Sequence, residues 1–268
     1  MDRTEWGDLP RAARASVELH TGPVVKAERA PHGVMSRLAC TLYSEDDHRV
    51  FVKGGRDTDP QVWVYRHEAA VTRLAPHAPR VLWEVEAGGW VLYGYEYVSG
   101  RHPDLSPGSP DIVLLLQTLR SVSGVPWPDP VRKRPLRDRY ADFLPDEVPA
   151  ELLDRTLAHT DLSIYNMMIT SSGQLLLLDW ALSCPGPAWT DSALVVPRLI
   201  SAGHLPQEAE QIAMEIPTFR DANPAVITEF AQVVCAAWET WGKARQLPHG
   251  AELTAAAHSW VQHRRDGN

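Results

Sequence analysis

The sequence predicts a two-lobed α+β fold, a small N-terminal lobe of antiparallel strands with one helix followed by a larger, mainly helical lobe. Three observations predict it. Residues 23–97 hold five short apolar or alternating runs bounded by turn residues, with a single helical pattern among them. Residues 97–111 are rich in Pro, Ser and Gly and mark a boundary, giving lobes of 1–97 and 98–268. Beyond that boundary apolar residues recur at helical spacing, interrupted by one hairpin pattern.

Strands are expected at Pro23–Ala30 and Arg37–Ser44, flanking a turn at 31–36, and at Arg49–Lys53. That turn has one glycine, too few for a glycine-rich loop, but its backbone N–H groups and the Ser36 hydroxyl could cover phosphates. A helix over Gln61–Leu74 puts Val64, Glu68, Val71 and Leu74 (or Ala75) on one face. Glu68 then stands inside an apolar stripe, where a lone carboxylate is costly. Lys53, ending the preceding strand, is the candidate partner; Arg66 or Arg73 with a half-exposed Glu68 is the plainer alternative. Strands Val81–Ala87 and Trp90–Tyr97 join at Gly88-Gly89, a hairpin signal. Where the last strand runs into Ser99-Gly100, the Glu96 carbonyl and Val98 amide could meet a flat heterocycle such as adenine.

In the second lobe helices are expected at Asp111–Ser123, Leu136–Phe143 and Ala150–Leu157, then at 191–202, 206–216, 223–246 and 250–264. Thr190 or Asp191 should cap the helix at 191, which contains Pro197.

Composition excludes several classes. The 268 residues are 44% hydrophobic and 22% charged, ordinary for a globular chain. The aliphatic runs Ile112–Leu116 and Leu175–Leu178 are too short to span a bilayer, and the polar N-terminus lacks an apolar signal core. Cytoplasmic residence without a membrane partner is therefore expected. Cys40, Cys184 and Cys235 are odd in number and widely spaced, which suggests neither disulfides nor zinc. A net charge of −8 argues against nucleic acid. The basic stretch 132–139 is short, interrupted by acid, and reads as a solvated surface segment.

Residues 158–180 carry the most specific pattern. A loop holds His159, Asp161 and Asn166; Met167–Thr170 runs out, Ser171-Ser172-Gly173 turns, and Gln174–Leu178 returns to Asp179. A strand that goes out and returns brings its ends together, so Asn166 and Asp179 face each other with Asp161 beside them. Two of these oxygen-bearing side chains suit a hard cation such as Mg²⁺, and one is free to handle a proton. Each alone is an ordinary turn residue; together they match the needs of phosphoryl transfer.

On these motifs the chain resembles the aminoglycoside phosphotransferase and choline kinase-like family, which has a protein-kinase-like fold. The matching residues are His159-Thr-Asp161-Leu-Ser-Ile-Tyr-Asn166, Leu178-Asp179-Trp180 and Gly186-Pro-Ala-Trp-Thr-Asp191, with Lys53, Glu68 and the 96–98 hinge in order. The resemblance implies that Asp161 is the catalytic base or orienting carboxylate and that His159 orients its loop. It implies Mg²⁺ on Asn166 and Asp179, and the α- and β-phosphates of ATP (or GTP) on Lys53, itself oriented by Glu68. Asp191 would be structural. The family often has Gly where Thr160 stands and His-Pro-x where Ser163-Ile164-Tyr165 stands, changes that touch the acceptor site's shape rather than its chemistry.

The implied activity is O-phosphorylation of a small molecule, foremost an aminoglycoside-like or other antibiotic, cationic natural product, by a monomer or homodimer. A metabolic kinase of choline, an amino alcohol or a sugar is the alternative; a silent nucleotide-binding scaffold is a third. Residues 188–268 hold nine acids and six bases, a mild excess, and Glu208, Glu210, Glu215, Asp221, Glu229 and Glu239 read mostly as solvated helix faces. Trp238 and Trp241 read as a core stripe in preference to a stacking platform.

Overall fold

The structure is a computed structural model and describes residues 3–31, 36–128, 131–245 and 250–267, with the side chains of 243–245 not described. Most of the turn expected at 31–36 lies outside the described residues.

An antiparallel sheet in the order β1-β2-β3-β5-β4 forms the first lobe: β1 Val24–Arg29, β2 Leu38–Ser44, β3 Arg49–Arg56, β4 Val81–Ala87 and β5 Trp90–Glu96. Side chains alternate across a strand, and β5 shows what that sorting does. Trp90 and Leu92 face a cluster with Ala13 and Val17 of helix α1 (Arg11–Thr21). Val91, Tyr93 and Tyr95 face Tyr65 and Ala69 of helix α2 (Val62–Thr72). Gly94 is required here, because a Cβ would lie 2.1 Å from the Trp83 indole.

Helix α1 is absent from the sequence reading. Its buried residues, Ala13, Val17 and Thr21, make a thin stripe of small side chains at every fourth position. The stripe expected on α2 is also corrected. Tyr65, Glu68, Ala69, Val71 and Thr72 are buried, whereas Leu74 is 54% exposed beyond the helix end.

The second lobe packs α3 (Asp111–Val122), α5 (Thr190–Ser201), α8 (Pro224–Arg245) and α9 (Gly250–Asp266) around one apolar cluster, to which Val71 of α2 also contributes. Helix α4 (Leu136–Arg139), α6 (Pro206–Met214) and α7 (Pro217–Arg220) complete it. The helix expected at Ala150–Leu157 is instead a 3₁₀ turn, Ala150–Leu153, followed by strand β7, Thr156–Ala158. The strand is stabilised by a distant partner: β10, Cys184–Gly186, pairs with β7, and the Thr156 hydroxyl donates to the Gly186 carbonyl at 2.7 Å. Between them the expected hairpin forms from β8, Met167–Thr170, and β9, Leu175–Leu177. Its turn needs Gly173, whose φ is +79°. A short β6, Gly100–Arg101, pairs with β8.

All three cysteines are free and buried. Among the described residues no helix is long and apolar enough to cross a membrane. Glu210, read as solvated, is enclosed: it accepts the Trp260 indole N–H at 2.7 Å and pairs with Arg264.

Candidate active site

The hairpin closes as its pattern requires. The Leu178 N–H donates to the Asn166 carbonyl at 2.7 Å, which holds the two ends of the hairpin side by side. The β7–β10 pairing draws together the chain entering the 159–166 loop and the chain leaving Asp179.

Across the lobes, Lys53 on β3 reaches three carboxylate oxygens. Its Nζ lies 3.0 and 2.8 Å from Oε1 and Oε2 of Glu68, and 2.8 Å from Oδ1 of Asp179. The alternative partners of Glu68 are engaged elsewhere, Arg66 with Glu86 and Arg73 with Glu84. Burial pushes the Glu68 carboxyl up to about 7 although Lys53 opposes it. Burial would also lower the Lys53 ammonium, but Asp179 and Glu68 outweigh it and hold it above its ordinary range. Asp179 is the converse: burial raises it, and Lys53 brings it below the usual carboxylate range. Its backbone is left-handed, φ +57°.

His67, beside Glu68 on α2, fixes that helix to the other lobe. Its Nε2 lies 3.1 Å from the Ser183 carbonyl, and its ring stacks on Trp127 at 6.0 Å. Burial pushes the His67 imidazole down to about 4.

The 159–161 loop is held from several directions. His159 is fully buried; its Nε2–H donates to the Leu178 carbonyl at 2.8 Å, and its Nδ1 accepts the Asp161 N–H at 3.2 Å. The buried Asp191 carboxylate accepts the N–H groups of His159 and Thr160, each at 2.8 Å. This corrects the expected cap: the residue preceding α5 is Trp189, and Asp191 turns to the loop instead. Burial raises the Asp191 carboxyl.

Thr160 has φ +67°, a region that disfavours β-branched residues. Its hydroxyl compensates by donating to the Leu182 carbonyl at 2.8 Å and accepting from Arg139 at 2.6 Å.

Asp161 is bound through both oxygens. Oδ2 accepts from Asn166 Nδ2 at 2.9 Å, and Oδ1 lies 3.2 Å from Arg198 Nη2. Asn166 Nδ2 also donates to the Asp161 carbonyl at 3.0 Å, which leaves its side-chain oxygen without a bond among the described residues. No group of three or more His, Cys, Asp or Glu side chains suited to a metal exists among the described residues. One carboxylate and one amide oxygen nonetheless fit Mg²⁺, which takes few protein ligands and completes its shell from phosphates and water.

Three cations here were not read from the sequence as part of the site. Arg198 also lies 6.0 Å from the Trp238 ring. Arg139 and Lys133 come from the stretch read as solvated, yet Arg139 holds Thr160 and the Leu182 carbonyl while Lys133 donates to the Ala181 carbonyl at 3.2 Å. Burial and then Arg139 push the Lys133 ammonium down to about 8. A spacing of seven residues puts Asp191 and Arg198 on one helix face, the one signal that pointed to Arg198. Trp241 stacks on Tyr140 at 5.4 Å, as a core residue does.

The remaining expected residues lie apart from this cluster's bonds. Glu96 ends β5; its carboxylate pairs with Arg80 at 3.0 Å, and Tyr97–Ser99 continue without regular structure. Ser36 is buried at the start of β2's approach.

Residues 115–247 match the model of the phosphotransferase enzyme family, APH. No curated protein sequence matches the chain. An aminoglycoside phosphotransferase from Alicyclobacillus acidocaldarius superposes with a TM-score of 0.62 at 14% identity, over 97% of each chain. Choline kinase LicA from Streptococcus pneumoniae gives 0.59 at 14% identity, over 95% of this chain and 99% of that one. A thermostable mutant of aminoglycoside phosphotransferase APH(4)-Ia, in ternary complex with AMP-PNP and hygromycin B, gives 0.59 at 15%, over 94% and 97%.

Proposed function

Because this chain belongs to the phosphotransferase enzyme family and has its protein-kinase-like fold, we propose that it transfers the γ-phosphoryl group of ATP, or GTP, to a hydroxyl of a small molecule. Acceptors of the antibiotic natural-product class and metabolic alcohols such as choline both fall within this reading. The observation that carries it is Lys53, 2.8 Å from both Glu68 and Asp179; in this reading the lobes are 1–97 and 98–268.

In this reading the nucleotide lies between the lobes, its base against the Glu96 carbonyl and Val98 amide, with Ser36 beside the phosphates. Lys53, oriented by Glu68, contacts the α- and β-phosphates. The Asn166 side-chain oxygen and Asp179 hold Mg²⁺, which when bound neutralises charge on the phosphates. Asp161 accepts the hydrogen bond of the acceptor hydroxyl and aligns it for in-line attack. His159 and Asp191 hold the loop so that this alignment needs no further ordering. Alignment and charge neutralisation are what a loose phosphoryl-transfer transition state requires.

A coupled nucleotide-turnover screen tests it, with Mg·ATP and Mg·GTP against antibiotics, choline, amino alcohols, sugars and hydroxy acids. Turnover stimulated by one acceptor and lowered by orders of magnitude in Asp161→Ala supports the reading. Acceptor-stimulated turnover that survives Asp161→Ala contradicts the role of Asp161.

A further inference from the structure

We propose that the acceptor is an alcohol that also carries an anionic group, a carboxylate or a phosphate, received by Arg198 beside Asp161. The inference rests on the phosphotransferase reading and adds the acceptor's chemical class to it.

Four carboxylates around the loop are already matched. Glu68 and Asp179 meet Lys53, Asp161 meets Arg198 and Asn166, and Asp191 takes two backbone N–H groups. No acid of this group is left for an ammonium-rich acceptor. The unmet capacity belongs to cations. A guanidinium has five N–H donors in a planar fork. Arg198 uses one nitrogen, Nη2, on Asp161 at 3.2 Å, longer than a strong charge-assisted bond. Its Nε is buried without a partner, and Nη1 has no hydrogen bond among the described residues.

The guanidinium lies over the Trp238 ring, 6.0 Å from its centroid. Arg139, at the end of α4, and Lys133, just before that helix, bond carbonyl and hydroxyl oxygens but no carboxylate among the described residues. A polycation placed at Asp161 would therefore meet like charge, whereas a carboxylate or phosphate supplies the acceptors the fork lacks. Because Arg198 is 3.2 Å from Asp161, the anionic group and the reacting hydroxyl lie a few bonds apart in the acceptor.

Calorimetric titration of the enzyme saturated with Mg·AMP-PNP tests this with two matched sets, gluconate, glucitol and glucamine, and glycerate, glycerol and 3-amino-1,2-propanediol. Glycerol 3-phosphate forms a separate arm that distinguishes phosphate from carboxylate. The expected result is an acid in at least one set binding about tenfold or more tighter than its neutral and amine partners, with Arg198→Met abolishing the preference and Arg198→Lys restoring part of it. Mg·AMP-PNP affinity should stay unchanged in both variants, which separates lost recognition from misfolding. Tighter binding of the amines, equal binding within the sets, no binding of any acid or phosphate, or a preference that survives Arg198→Met would each overturn the inference. Any of these results with Mg·AMP-PNP still bound leaves the phosphotransferase reading standing; failure of wild type to bind Mg·AMP-PNP would overturn that reading as well.

Discussion

Asp191 and Arg198 stand seven residues apart on α5 and grip successive parts of one loop, Asp191 through the N–H groups of His159 and Thr160 and Arg198 through the Asp161 carboxylate. Two turns of helix thus set both the backbone path of the loop and the orientation of its carboxylate.

Removing the first grip should be costly. Asp191→Ala leaves two loop N–H groups without their acceptor, one of them fully buried, so we expect a loss of about 2–4 kcal/mol in urea unfolding together with loss of turnover. Asp191→Asn keeps one acceptor oxygen and should lose roughly half as much. Equal stability of Asp191→Ala and wild type would show that the loop holds itself.

Thr160 separates strain from bonding. Its left-handed backbone, φ +67°, disfavours a β-branched side chain, while its hydroxyl links Arg139 to the Leu182 carbonyl. Thr160→Val keeps the strain and loses both bonds; Thr160→Gly loses the bonds and the strain. The Gly variant should therefore exceed the Val variant by about 1 kcal/mol in denaturant unfolding. The reverse order would contradict the strained backbone.

His67 sets an acid-side limit on stability. Burial holds its folded-state value near 4, below the ordinary 6.5, so the unfolded chain binds the extra proton between those values. Stability from this residue is complete above pH 6.5 and is lost as pH falls towards 4, by ~3 kcal/mol. Unfolding free energies of wild type and His67→Gln, compared from pH 7 to pH 4, should converge by that order as pH falls. A constant gap would contradict the buried neutral imidazole.

What could be read in advance was what depends on neighbours in sequence. The hairpin at 167–177 and the Gly88-Gly89 turn follow from local turn chemistry, and of the stripe expected on α2 Glu68 and Val71 are buried. What escaped depends on distant partners. Thr156–Ala158 is a strand because Cys184–Gly186 lies beside it, and Lys133 and Arg139 are half-buried because the 181–182 carbonyls and Thr160 receive them. Arg198 carried no motif of its own; only its register with Asp191 marked it. Helix α1 was missed because Ala13 and Val17 bury too little apolar surface to stand out as a pattern.

The most direct test of the central claim is equilibrium binding of AMP-PNP with and without Mg²⁺ to wild type, Asp179→Asn and Asp161→Asn. Wild type and Asp161→Asn should bind with similar Mg²⁺-dependent affinity, because the role proposed for Asp161 is toward the acceptor and not the nucleotide. Asp179→Asn should lose the Mg²⁺ dependence, by about tenfold or more in affinity. Mg²⁺-dependent binding that persists in Asp179→Asn, or is abolished by Asp161→Asn, would contradict the assignment of these two carboxylates.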